Sequence, residues 1–258
     1  MLTGIDHMVI VVGDLDAAVA DFTQLGFTVV RGGRHPSIGT HNALIAFADG
    51  AYFELIAFIP PVSESPHWWY SALQKGGGLT DFCVRTSDLE SDAAAFRNAG
   101  ATVGRPFRMG RERPDGYKVS WVLTTVEGDD RGTSPFFIRD DTPRDERVPR
   151  QRSHPNGVTG VKTLALSVND ANATARIYTG ALGMAGDPVA RDDVGAAGVG
   201  FRLGPHELQV LAPTASSGPL AERLRTRGPS PFEVTLAATG SQRQLDAGVA
   251  HGARIVLA

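Results

Sequence analysis

A strand-turn-helix unit recurs along this chain, and the recurrence restricts the fold more than any other feature. The unit is clearest at residues 4–27, GIDHMVIVVGDLDAAVADFTQLGF. Alternating Val and Ile over residues 5–12 predict a strand, because successive side chains of an extended chain point to opposite faces. Asp14 is placed to cap a helix N-terminus. Val19, Phe22 and Leu25 recur every three residues and form one apolar stripe. Gly26 supplies a left-handed stop, and residues 28–30 return as a strand. Asp88 and Asp170 repeat the capping position, with Gly100 and Gly183 closing the helices 12 and 13 residues later; Asp14 to Gly26 is also 12. A fourth, fainter copy carries Gly240 in the aspartate's place and Gly252 at the predicted helix end. The spacing between copies is too long for a solenoid and suits a module of about four strands and one helix.

The modules can be read in order. In the first, two strands at 42–47 and 52–58 follow the helix, joined by an Ala-Asp-Gly turn, which completes a βαβββ order. A connection from Pro60 and Pro61 to Gly78 carries Trp68, Trp69 and Tyr70, read as cover for an apolar edge rather than as ligand contacts. The second module has strands at 118–124 and 135–139. The charged, proline-rich stretch 140–157 reads as the boundary between a domain at 1–150 (modules 1–60 and 78–140) and another at 157–258. The third module carries strands near 198–203 and 207–211, then a helix at 219–227. The fourth runs out after its second strand, so the C-terminal domain is expected to be truncated.

Composition excludes several function classes. A net charge of −3 offers no electrostatic footprint for nucleic acid. A single cysteine, Cys83, precludes an internal disulfide and fits a reducing compartment. No stretch has the apolar length of a membrane span, and no signal-peptide pattern opens the chain. The expectation is a soluble, cytoplasmic protein.

The chemistry-bearing residues lie on the strands. Alternation places Ile5, His7, Val9 and Val11 on one face of the first strand. Asp6, Met8, Ile10 and Val12 take the face the helix covers. Glu54 interrupts the apolar strand YFELIAF, and an acid there needs a partner or a wet cleft. His7 aligns with Asp81 in the second module. His7, Glu54 and Asp81 make a mixed N and O set suited to Zn, Mn, Fe or Ni, with positions left open for substrate. The alternative is a buried His7–Glu54 pair without metal. His35, Thr40, His41 and Asn42 could bind the polar end of a substrate, with Arg85 supplying a cation and Arg111 and Arg113 closing over an anionic group. Each is equally readable as an ordinary loop residue. Cys83 reads as a small buried residue before it reads as a nucleophile.

The four βαβββ copies, with His7 on a first strand and Glu54 on a fourth, resemble the vicinal oxygen chelate superfamily. The segment GGRHPSIGTHNALIAFADGAYFELI and PFFI near Pro135 resemble its glyoxalase-like domain proteins. The resemblance implies an α+β fold of repeated modules, paired into two half-barrel domains of glyoxalase/bleomycin-resistance type. It also implies a divalent metal on a concave face, with His7 and Glu54 at ligand positions and Asp81 where many members have a second histidine. No acid occupies the fourth ligand place, within residues 135–138. In the C-terminal domain the matching Thr163 and Gln209, with Glu233, make a poor ligand set, so that domain reads as a degenerate copy.

Two functions follow. One is a metal-dependent lyase or isomerase acting on a small molecule with vicinal oxygens, with Glu54 and His7 catalytic and Glu54 a general base if the ligand set is smaller. The other is a metal-free binding protein that sequesters a ligand against Tyr52, Trp121, Phe136 and Phe137. No organic cofactor is expected. Open sheet edges in the shortened domain suggest a homodimer.

Overall fold

The structure, a computed structural model, describes residues 2–60 and 65–258; Pro61 of the predicted connection lies outside them. The first module is β1 (Leu2–Val11), α1 (Leu15–Gln24), β2 (Val30–His35), β3 (Thr40–Ala46) and β4 (Tyr52–Phe58). After α2 (Trp68–Gln74), the second is β5 (Gly78–Thr86), α3 (Leu89–Asn98), β6 (Phe107–Glu112), β7 (Lys118–Thr124) and β8 (Phe136–Asp140). A short helix α4 (Arg144–Arg147) leads to β9 (Val158–Ser167), α5 (Ala171–Leu182), β10 (Asp187–Arg191), β11 (Ala196–Leu203) and β12 (His206–Pro213). The chain finishes with α6 (Pro219–Arg227), β13 (Ser230–Ala238), β14 (Arg243–Gln244) and β15 (Ile255–Leu257). The α+β repeat expected from the sequence is present. Asp14, Asp88 and Asp170 each cap their helix through a side-chain oxygen that accepts from backbone N–H groups.

The first two modules pair into one barrel of strand order β1-β4-β3-β2-β6-β7-β8-β5. The resemblance implies a half-open barrel; this one is closed. Closure runs through the contact of Arg34 on β2 with Glu112 on β6. Gly33 permits it: at φ +130° its backbone lies against the Glu112 carbonyl, where a Cβ would collide.

Alternation along β1 divides two cores. Met8, Ile10 and Val12 join Ala18 and Phe22 of α1 in the outer core, while Val9 and Val11 face the barrel interior. Ile5 and Asp6 depart from the expected faces. A register irregularity against β5 between Ile5 and His7 sends Ile5 into the outer core, and Asp6 turns to side chains within the barrel.

The third and fourth modules build a seven-stranded sheet, β10-β11-β12-β9-β13-β15-β14. The helix expected in the fourth copy does not form; residues 247–252 are turns. Gly240 stands where the other copies have aspartate, so no side chain satisfies the first N–H groups of a helix there. The concave face of this sheet is filled instead of hollow. Helix α6 inserts Leu220 among Ala165, Leu211 and Phe232. Glu233 is held between Arg191 (2.9 Å) and Arg254 (2.6 Å). The two sheets share the outer core, where Phe96 of α3 meets Tyr178 of α5 at 5.6 Å between ring centroids.

Candidate functional site

The barrel interior holds a cavity of about 290 Å³, lined by His7, Glu54, Asp81, His35, Tyr52 and Trp121 among others. Its apolar wall includes Ile56, Trp69, Leu123, Phe136 and Ile138. The polar wall is built from His7 on β1, His35 on β2, Tyr52 and Glu54 on β4, Asp81 on β5 and Arg111 on β6, with Arg147 from a basic segment between the barrel and β9.

Asp6 stands behind that wall, joined to its His7 and Arg147. It is fully buried, and Arg147 donates to both of its oxygens, at 3.0 and 3.1 Å. Arg144 donates to Oδ2 as well. Burial pushes the Asp6 carboxyl up, but Arg147, the hydrogen bond from His7 and Arg144 outweigh it and hold the group well below the usual carboxylate range. An ionised Asp6 only accepts, so the 2.8 Å contact assigns the proton to His7 Nδ1. His7 Nε2 then faces Glu54 Oε2 at 3.4 Å. The imidazole is fixed further by stacking on Tyr52, 4.7 Å between centroids, and by the edge of Phe136 at 5.2 Å. Tyr52 accepts a 2.6 Å hydrogen bond from Arg147, which ties the ring to the same network.

Glu54 sits on β4 in register with Val9, two residues beyond the level of His7 and Tyr52. Asn42 on β3 donates to its Oε1 at 2.6 Å, and His35 Nε2 stands 3.8 Å from the same oxygen. Burial raises the Glu54 pKa, but His7, His35, the Asn42 hydrogen bond and Arg111 reverse this and lower it, so the buried carboxylate is ionised. His35 is lowered to about 4 by burial and is neutral at physiological pH; its Nδ1 contacts Thr40 Oγ1 at 3.1 Å. Thr40 therefore acts on the cavity through His35, and Asn42 through Glu54.

Asp81 lies on the opposite flank of Val9, paired with it across β5. Both of its oxygens are occupied: Oδ2 accepts from Trp69 Nε1 at 3.0 Å and Oδ1 from the Phe82 N–H at 2.9 Å. Burial raises its pKa to about 7 against these hydrogen bonds. The structure thus brings His7 and Glu54 together and sets Asp81 apart on the same cavity. Among the described residues, the His, Cys, Asp and Glu donors that all lie within 4.8 Å of one another are those of Asp6, His7 and Cys83. That cluster does not fit a cation. Two guanidiniums already neutralise Asp6, and burial keeps the Cys83 thiol protonated. The His7, Glu54 and Asp81 trio does not converge either, so a preformed three-ligand centre is absent from the described residues. The His7–Glu54 pair has the donor chemistry for a cation but only two arms.

The remaining predicted contacts divide. Trp121 lines the cavity and meets His35 edge-on at 6.0 Å. Arg85 and Arg113 stand outside the lining. Arg85 points toward Gly50, and Arg113 is engaged by Asp115 and Glu146. His41 is also outside. Phe136 faces the cavity, whereas its neighbour Phe137 packs into the outer core against Phe96, as alternation on β8 requires. Trp68 and Trp69, read from sequence as edge cover, line the cavity, because the start of α2 and the residues just before it, Pro66 and His67, form part of its wall. Arg147 and the Asp6 role were missed. Their signal was an acid beside His7 and a basic stretch at 144–152, but nothing local links positions 141 residues apart.

A closed βαβββ barrel with a His-Glu pair in an aromatic cavity has the architecture of the vicinal oxygen chelate type. The family's sequence profile, described as a glyoxalase-like domain, matches residues 5–182, more than half of the chain, and the chain belongs to that family. No curated protein matches the chain. Among solved structures, a hypothetical protein from Staphylococcus aureus is similar over 100% of this chain and 99% of its own, with a TM-score of 0.72 and 17% identity. A mutant 4-hydroxymandelate synthase from Streptomyces coelicolor is similar over 93% of this chain and 72% of its own, with a TM-score of 0.66 and 16% identity. At those identities the likeness is one of fold alone. Among the described residues no helix is long and apolar enough to cross a membrane.

Proposed function

We propose that the protein is a small-molecule enzyme of lyase or isomerase type in which Glu54 removes a proton from a carbon beside a carbonyl or similar oxygen. The observation that carries this reading is an ionised, nearly buried carboxylate in a ligand-sized cavity, with Asn42 fixing one oxygen and His7 facing the other. The Glu54 proton acceptor is oriented by Asn42. His7, held by Asp6, is within reach to share or return the proton. Trp69, Trp121 and Phe136 exclude water from the reacting carbon.

A divalent cation (Zn, Mn, Fe or Ni) is the second reading, favoured by the Asp6–His7 hydrogen bond that turns Nε2 into the cavity. His7 and Glu54 would hold it, and when bound it would supply Lewis-acid polarisation of a substrate oxygen. The division of the chain near residues 150–157 and a homodimer through the edges β10 and β14 belong to the same proposal.

The test is hydrogen exchange in D2O. A panel of small carbonyl compounds, charged and neutral, is followed by proton NMR with the wild-type protein and with Glu54→Gln. Exchange at the carbon next to the carbonyl, lost in the variant, supports the reading. Binding without exchange leaves the sequestering function in its place.

A further inference from the structure

The charge pattern around the cavity identifies a class of ligand. Arg144 and Arg147 are neutralised by Asp6, and Arg147 also by Asp140. Arg111 on β6 is not matched in this way. It is 4% exposed and lines the cavity. Its one hydrogen bond among the described residues is donated by Nη2 to the Arg147 carbonyl at 2.8 Å. Its Nε is buried without a partner, and among the described residues no carboxylate reaches it within ion-pair distance. A guanidinium left in such a place is costly to desolvate unless an anion completes it.

From this we infer that the cavity takes a small aromatic monocarboxylate, with its carboxylate on Arg111 and its ring against Trp69, Trp121 and Phe136. The size agrees: about 290 Å³ falls just below the roughly 300–1,000 Å³ typical of ligand sites, which suits a single ring. The aromatic walls offer π faces and edges to a planar ligand rather than a smooth aliphatic lining. A monoanion is required over a dianion such as a phosphate ester. Arg111 is the buried cation of the lining without a carboxylate partner, Arg131 is an exposed one, and the ionised Glu54 shares the same cavity, so a second negative charge placed on Arg111 would be repelled. A bidentate carboxylate matches the planar fork of an arginine.

The inference rests on the cavity being the substrate site, not on Glu54 acting as a base. The test therefore reads binding, not turnover. Phenylacetate, phenylacetamide and phenyl phosphate are titrated into the wild-type protein, with tryptophan fluorescence and calorimetry as readouts. Phenylacetate is expected to bind about tenfold or more tightly than the amide, a difference of about 1.4 kcal/mol or more. Arg111→Gln is expected to erase that preference and Arg111→Lys to keep part of it, with circular dichroism confirming the fold of each. Equal affinity for acid and amide overturns the inference, as does a preference unchanged in Arg111→Gln, tighter binding of phenyl phosphate, or no binding of any probe. If both variants fail to fold, the wild-type ratio of acid to amide decides. A strong acid preference without D2O exchange in any compound sinks the proton-transfer reading and leaves this one standing; exchange without the preference does the reverse.

Discussion

Replacing Arg147 by Met should cost the protein a large fraction of its stability at neutral pH and should reverse part of its pH dependence. Arg147 is 2% exposed and donates to both oxygens of a fully buried Asp6, to Tyr52 and to Asp140. Methionine fills similar space but strands the Asp6 charge. Breaking a buried pair from one side costs roughly 3–5 kcal/mol, and the lower end, about 3 kcal/mol, is expected because Arg144 still reaches Asp6. Against a total of about 5–15 kcal/mol for a domain, that is a large fraction. The sign with pH follows from the folded-state pKa. In the wild type, Asp6 lies well below its unfolded value, so its contribution is fully present above the unfolded pKa and is lost as pH falls through the folded one. Without Arg147, burial is opposed less, and the folded Asp6 pKa rises. The deficit should therefore shrink as pH is lowered from 8 to 5. Urea titrations of both proteins at the two pH values measure it. A loss under about 1 kcal/mol at pH 8, or a deficit that grows on acidification, would refute the account of Asp6 as a charge sustained by Arg147.

Further outcomes are expected. Glu54→Gln should reduce any exchange activity by roughly 10²–10⁴-fold while leaving the melting temperature within a few degrees, and retained activity would remove Glu54 as the base. Trp69 emission should change with pH around 7 as Asp81 ionises beside its Nε1, and Asp81→Asn should abolish that titration; a pH-independent signal would contradict the raised pKa. The same shift means Asp81 destabilises the fold as pH rises from its unfolded value of about 4 through about 7, so Asp81→Asn should gain stability at pH 8 relative to pH 4. Gly33→Ala should cost about 1–3 kcal/mol from its backbone conformation alone, with more from the collision at Glu112, and a neutral change in a urea titration would deny the barrel its closure point. Chelator treatment followed by elemental analysis separates the readings of His7 and Glu54: exchange that survives metal removal supports the proton-transfer site, whereas exchange lost and restored by Zn or Mn supports the cation.

The repeat, its helix caps and the face division of β1 from Met8 onward were legible from residue order alone, because strand and helix periods and N-cap chemistry are set within a dozen residues. His7 and Glu54 were legible for a similar reason: polar groups in apolar strands must meet something polar. The fourth copy's helix was misread because a faint apolar pattern without a capping side chain does not nucleate one. Arg147, the separation of Asp81 from the His7–Glu54 pair, the position of Arg111 and the filling of the second sheet by α6 came only from the tertiary structure. Those are distances between side chains up to 141 residues apart, and they depend on strand register, a local irregularity and closure of the barrel, none of which any short stretch of residues encodes. Residue order alone determined the modules and which polar groups needed partners; packing decided which partners they found.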